Sequence, residues 1–386
     1  MVKKYKKIII NIFALILVFF IKLYRKINPL PQRIYFCYNQ SIHHIYHSIF
    51  IAIELSNIQK DFQVVIFSTS SKASAIIETE LASIPNNIKF IKIHHPGYNK
   101  INFSVNWFVF LCRLRMYRPK AVIVTDYFDN VFRQLLLKTF WIYCFHGPEN
   151  RGYTHPHVKD YDLIILPGPG ELERIENRIG KINNYAVVGY SKFDYLYYHK
   201  VTPSNLFKEK KPVVIYNPHF EKTQSSFFDK GLEFLEALSQ TGKYNIIFMP
   251  HPDLVRKYPK LINSVKKEPR MLVIRHQKIN LDLMAISDIY ITDVSSAVYE
   301  WLLFEKPVVI FNAKKLDRNI FPAWECGVVI EDVCQMLNAI EQQLKKPAEF
   351  QEKRKKLFNQ TFSNRDKNVS KLIAQTIWEK LQNAGK

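Results

Sequence analysis

Glycine is scarce in this 386-residue chain, and its 11 positions form no three-glycine fingerprint of a dinucleotide-binding turn. Gly168-Pro-Gly170 follows an apolar run but lacks the third glycine, so it reads as a turn capping the helix Glu171 to Arg178. There is no low-complexity tract and no short internal repeat, which argues against a long disordered region and a solenoid. The five cysteines (Cys37, Cys112, Cys144, Cys326 and Cys334) are far apart, odd in number and without a C-x-x-C pair. They suit buried thiols in a reducing compartment rather than a disulfide framework. Acidic residues are the deficient charge: 34 Asp plus Glu face 55 Lys plus Arg, a net +21. Such an excess favours nucleic acid, an anionic membrane face or phosphorylated substrates. No helix-turn-helix, zinc-finger or RNP-like pattern accompanies it, so nucleic acid is not an expected partner.

A long hydrophobic run is also missing. Ile8 to Ile21 is apolar except for Asn11, and lysines and an arginine flank it on both sides. A membrane span needs about 20 such residues. No small-x-small cleavage site follows, and the flanking charges give no orientation. Residues 1–31 are therefore expected to form a basic, hydrophobic membrane-associating segment, peripheral or a short anchor at the cytoplasmic face. An ordinary buried first helix is the plain alternative.

What the chain does contain is alternation. Short β-rich runs occur at Arg33–Cys37, Phe62–Phe67, Ile88–Ile93, Ala121–Val124, Phe140–Phe145 and Leu163–Leu166, with amphipathic stretches such as Ile45 to Ile58 and Phe103 to Tyr117 between them. A second series begins at Pro212, with runs at Val213–Tyr216, Ile246–Met249, Met271–Ile274, Ile289–Thr292 and Pro307–Phe311; after Gly327 the remainder reads as helix. Strand–helix alternation implies α/β layers with parallel sheets. The expected organisation is an N-terminal Rossmann-like domain at 32–190, a hinge at 191–211, a C-terminal Rossmann-like domain at 212–346 and a basic helical region at 347–386. A ligand would lie in the cleft outside the carboxyl ends of the strands.

Four motifs sit at such strand ends. Thr292-Asp293-Val294-Ser295-Ser296 joins a strand to a helix; Asp293, Ser295 and Ser296 are competent N-caps, and the turn would offer N–H groups and a positive dipole end to a phosphate. A capped helix without a ligand is the plain alternative. In Met249-Pro-His251-Pro252, two prolines fix a histidine able to hydrogen-bond a phosphate or move a proton. In Phe145-His146-Gly147, the glycine permits a tight turn that projects His146 as a possible base. In Val188-Gly189-Tyr190-Ser191-Lys192-Phe193-Asp194, Gly189 permits close approach and Lys192 could pair with phosphate. A structural turn is the plain alternative for each. His43, His44 and His47 share a predicted helix face and suit the acceptor side of the cleft better than a metal, since no Cys or acidic partner is near. Asp126 ends a strand and is either an acceptor contact or a turn residue.

The order His-Gly, Gly-Tyr-x-x-x-Asp, His-Pro, Ile-Thr-Asp-x-Ser-Ser, Lys-Pro-Val resembles the CDP-glycerol glycerophosphotransferase family over about Tyr143 to Asn312, most strongly over Leu281 to Phe311. The resemblance implies a GT-B-type pair of Rossmann-like domains and synthesis of teichoic-acid-type polymers. It implies His146 as the base, His251 at the donor phosphates and Ser295 and Ser296 on the donor pyrophosphate. No metal is required if basic residues and the helix end neutralise the charge, and no cofactor is expected. Gly189, Lys192, Asn217, His219, Thr292 and Asp293 join the donor side, and His43, His44 and Arg151 the acceptor side. The chain departs from the family where Val294 replaces a tyrosine. It departs again where Asn217-Pro218-His219-Phe220-Glu221 replaces Ala-Pro-Thr-Trp-Arg, and where Pro148-Glu149-Asn150 delays the basic residue after His-Gly to Arg151. Arg151, Lys192 and His219 are the candidates for the missing charge. The expected donor is a CDP-activated polyol, and the expected acceptor a cell-surface glycan or lipid-linked hydroxyl. The alternatives are a GT-B sugar transferase using a nucleotide sugar and a UDP-GlcNAc 2-epimerase-like enzyme. That epimerase carries Asp-Ser-Gly-Gly at the Ser-Ser turn, which this chain lacks. A non-catalytic polysaccharide-assembly protein is a further alternative.

Overall fold

Runs rich in Val, Ile, Phe and Tyr, apolar on both faces, form strands covered on both sides. In the computed structural model of the protein they build two all-parallel sheets. The structure describes residues 32–38, 42–92, 119–125, 139–148, 155–199, 206–266, 268–275 and 280–384, with Phe20, Leu23 and Leu114. The first sheet comprises β1 (Arg33–Tyr38), β2 (Gln63–Ser68), β3 (Lys89–Lys92), β4 (Ala121–Val124), β5 (Phe140–Cys144), β6 (Leu163–Leu166) and β7 (Tyr185–Val187). Its spatial order is β3-β2-β1-β4-β5-β6-β7. The second comprises β8 (Val213–Asn217), β9 (Asn245–Phe248), β10 (Met271–Val273), β11 (Ile289–Thr292), β12 (Val308–Phe311) and β13 (Val328–Ile330), ordered β10-β9-β8-β11-β12-β13.

Each order reverses at a central pair, β1/β4 and β8/β11, and the crevice there is where doubly wound sheets take ligands. Tyr35 lies opposite Val65 and Val122, and Ile291 opposite Tyr216 and Val309. These are the two Rossmann-like layers of a GT-B-type arrangement.

Three expectations need correction. The run after Gly327 is not all helix, because Val328–Ile330 extends the second sheet beside β12. A Cβ at Gly327 would lie 2.1 Å from the Val308 carbonyl oxygen, so glycine lets the two backbones close up. The helix Ile49–Ile58 is not amphipathic but buried along most of its length. Its second face is covered by the helix Val369–Asn383, which returns from the far end of the chain. Asp194 accepts from the amides of Val369 and Ser370 at 3.2 and 2.5 Å, and Asn368 donates to Glu54 at 2.9 Å. Finally, Cys334 is exposed, whereas Cys144 and Cys326 are buried. Burial pushes both of those thiols up to about 12.

Cys112, the stretch Phe103 to Tyr117 apart from Leu114, and nearly all of residues 1–31 lie outside the described residues. Among the described residues no helix is long and apolar enough to cross a membrane.

Candidate active site

The second sheet supplies a rigid floor. Thr292, at the end of β11, donates its hydroxyl to the Asn217 carbonyl at the end of β8, 2.9 Å away. Asn217 Oδ1 accepts from Tyr290 at 2.6 Å and from Ser295 at 3.1 Å, while its amide donates to the Met249 carbonyl. The ends of β8, β9 and β11 are thereby tied through one side chain. Asp293 is not a helix cap but a buried anchor. It accepts from the amides of His219, Ser226 and Val294 at 2.9, 2.8 and 2.7 Å, and from the Ser226 hydroxyl at 2.9 Å. Burial raises its carboxyl above the ordinary range, against the pull of those donors.

Ser295 and Ser296 then open the helix Ala297–Trp301 at the wall of a cavity of about 250 Å³. Ser296 occupies the N-cap position without a side-chain cap bond. Intrahelical bonding begins with the Val298 and Tyr299 amides, 3.3 and 3.1 Å from the carbonyls of Ser295 and Ser296. Ser295, Ser296 and Ala297 all line the cavity where this helix begins. Thr292 and Asp293 support this turn from beneath and do not line the cavity.

His251 lines the same cavity and precedes a short helix, Pro252–Lys257. Its Nδ1 accepts from the Asp253 amide at 3.1 Å, which leaves the proton on Nε2. His219, 5.3 Å from His251 between ring centroids, is buried and accepts on Nδ1 from the Glu221 amide at 2.9 Å. It backs His251 and does not itself line the cavity.

The first sheet brings different groups to the opposite wall. His146, after β5, donates from Nδ1 to the Thr125 carbonyl at 2.8 Å, so its Nε2 carries a lone pair. Gly147 takes φ +145°, a conformation that glycine reaches without strain. The His44 ring stacks on His146 at 4.5 Å, and His47 meets it edge-on at 6.2 Å. These two histidines lie on a 3-10 helix, Ile42–His47, whose three-residue turn aligns positions i and i+3. Among the described residues no group of three or more His, Cys, Asp or Glu side chains could hold a metal ion. The His43 side chain, Asp126, Glu149, Asn150 and Arg151 lie outside the described residues.

Two residues of the Gly-Tyr motif are placed differently from expectation. Gly189, with φ +135°, faces protein rather than the cavity: a Cβ there would lie 2.7 Å from the Ser363 carbonyl and 2.8 Å from Val369. Lys192 does line the cavity, but its ammonium contacts both oxygens of Glu300, at 2.7 and 2.8 Å. Glu300 and Asn280 line the site and were not singled out by the motifs. A lone acid in the apolar run Ala297-Val-Tyr-Glu-Trp, one helical turn after Ser296, was the available signal.

The family model described as CDP-Glycerol:Poly(glycerophosphate) glycerophosphotransferase matches residues 158–379. The minor teichoic acid biosynthesis protein GgaB of Bacillus subtilis (strain 168) is 25% identical over 288 residues, covering 67% of this chain and 31% of that protein. The chain thus spans about a third of that relative's length. The wall teichoic acid polymerase TagF has the same fold, with TM-score 0.64, 14% identity and full coverage of both chains. A structure of TagF with CDPG gives TM-score 0.65 at 15% identity, covering 100% of this chain and 99% of that one. UDP-GlcNAc 2-epimerase from Neisseria meningitidis shares the fold more distantly, with TM-score 0.55 and 13% identity over 91% of this chain and 100% of its own.

Proposed function

The chain belongs to the CDP-glycerol:poly(glycerophosphate) glycerophosphotransferase family, and from that premise we propose that it transfers glycerol phosphate, or a related polyol phosphate, from a CDP-activated donor to a hydroxyl of a cell-surface glycan or lipid-linked acceptor. One observation carries this reading. A single cavity is lined by His146 from the first sheet and by His251, Ser295 and Ser296 from the second, with the two imidazoles in opposite tautomers. One presents a lone pair and the other an N–H.

In the proposed step the acceptor hydroxyl attacks the glycerol-bearing phosphorus. A new P–O bond forms as the bond from that phosphorus to the oxygen of CMP breaks. The hydroxyl proton passes to His146 Nε2, and CMP leaves. His251 Nε2–H and the amides of Ser296 and Ala297 receive the charge that gathers on the departing phosphate. Asn217, Thr292 and Asp293 hold that turn, His219 backs His251, and His44 orders the acceptor wall. A glycan or lipid-linked acceptor, together with the net charge of +21, fits a protein working at the cytoplasmic face of an anionic membrane.

Incubation with CDP-glycerol and an acceptor ending in glycerol phosphate should release CMP and create a phosphodiester visible by phosphorus NMR. Thermal stabilisation by UDP-sugars, with none by CDP-glycerol or CDP-ribitol, would move the protein to the sugar transferases that share its fold.

A further inference from the structure

Glu300 joins the two halves of the cavity. Its buried carboxylate accepts from the Tyr190 hydroxyl at 2.8 Å, from Lys192 at 2.7 and 2.8 Å, and from the Asn280 amide at 2.6 Å. Tyr190 and Lys192 follow β7 of the first sheet, whereas Asn280 and Glu300 belong to the second. A buried ion pair is a poor source of net stability, because desolvation offsets its attraction. It does impose geometry, since three kinds of donor must converge on one carboxylate.

That geometry reaches both ends of the proposed reaction. The Tyr190 hydroxyl also lies 3.1 Å from the carbonyl oxygen of His146. A hydroxyl has one proton, and the shorter, charge-assisted bond to Glu300 takes it. A Cβ on Gly147 would sit 3.4 Å from the same hydroxyl, so Tyr190 packs directly under the His146–Gly147 turn. On the other side, Glu300 lies one turn along the helix that Ser295 and Ser296 open. Lys192 lines the cavity while its ammonium is held on the carboxylate.

We propose that Glu300 is a positioning residue that sets the separation between His146 and the Ser295–Ser296 turn by gripping Tyr190 and Lys192 across the cleft. This rests on the transferase reading above. Glu300→Gln keeps the volume and removes the charge. It should lower kcat with CDP-glycerol by about 10- to 100-fold, as expected when reacting groups are displaced by about an ångström. KM for CDP-glycerol should stay within about threefold, because the phosphate-binding turn is built within the second sheet. Tyr190→Phe removes one donor and keeps the ion pair, and should lower kcat by about 3- to 10-fold with KM unchanged.

Amide exchange provides a readout that does not need turnover. In Glu300→Gln, exchange should quicken around His146 and Tyr190 while β8, β9 and β11 keep their protection. A role in stability alone would lower the melting temperature and leave the kcat of the folded fraction intact. Wild-type kcat in both folded variants, or unchanged exchange around His146, overturns the proposal. If Glu300→Gln does not fold, Tyr190→Phe decides by both kcat and exchange. Absence of turnover in the wild-type protein sinks the transferase reading instead, and the exchange measurement still judges the role of Glu300.

Discussion

At its switch point the first sheet meets the cavity with imidazoles, His47 and His146, and His146 donates from Nδ1 to the Thr125 carbonyl, which leaves the lone pair on Nε2. The second sheet, with the same order reversal, meets it with His251, whose Nδ1 accepts from a backbone amide so that Nε2 carries the proton, beside the Ser295–Ser296 turn. In the proposed reaction the strand order places the ligand, and the local hydrogen bond of each histidine sets which wall would take a proton and which would give one.

The contrast can be broken most directly at the two histidines. His146→Ala should reduce turnover by about 10²- to 10⁴-fold, the usual contribution of a positioned base, while CDP affinity changes little. His251→Ala should cost about 10²- to 10³-fold and weaken CDP binding as well. Glutamine sharpens the test: its amide can donate but is not a base, so Gln should recover part of the loss at position 251 and none at 146. Recovery at both positions, measured by CMP release, would show that the walls are not chemically distinct.

A smaller effect is expected in the floor of the second sheet. Asn217→Ala strips partners from Tyr290, Ser295 and the Met249 carbonyl, and should destabilise the protein by about 1–3 kcal/mol in urea unfolding. An unchanged midpoint would mean that the floor is not held this way.

The smallest effect compares two buried aspartates. Asp194 in the first half and Asp293 in the second each accept from backbone amides of a distant segment. Burial pushes Asp194 up from 3.8 to about 6. Its raised value means that the native state keeps a proton which the unfolded chain releases over that interval. The stability it lends is therefore present below pH 3.8 and lost as the pH rises through about 6. Asp194→Asn should flatten that slope in unfolding midpoints taken across this range. An identical slope would assign the acid limb to other groups.

Much of this site could be read before any coordinates, because the chemistry sits where apolar runs stop. Cys144, Phe248 and Thr292 end strands, and the histidines and serines follow within a few residues. What was hidden depends on partners far away in sequence. Glu300 belongs to none of the motifs, and its place in the site shows only when Lys192 and Tyr190 arrive from the first half. Ile49–Ile58 reads as half-exposed until Val369–Asn383 covers it, and Gly189 reads as a ligand approach until Ser363 and Val369 fill the space. The run Val328–Ile330 is too short to show a period, so only its neighbour β12 makes it a strand.

The returning helix also sets a timetable for synthesis. Glu54 and Asn368, bonded in the finished protein, are 314 residues apart. At translation speeds of 5–20 residues per second, roughly 15–60 s separate their emergence from the ribosome. For that interval the apolar helix Ile49–Ile58 lacks the element that covers its outer face, and it is a natural substrate for chaperones that bind nascent hydrophobic segments. The second sheet is covered sooner, because the helix Met336–Lys345 that packs on it follows its last strand almost directly.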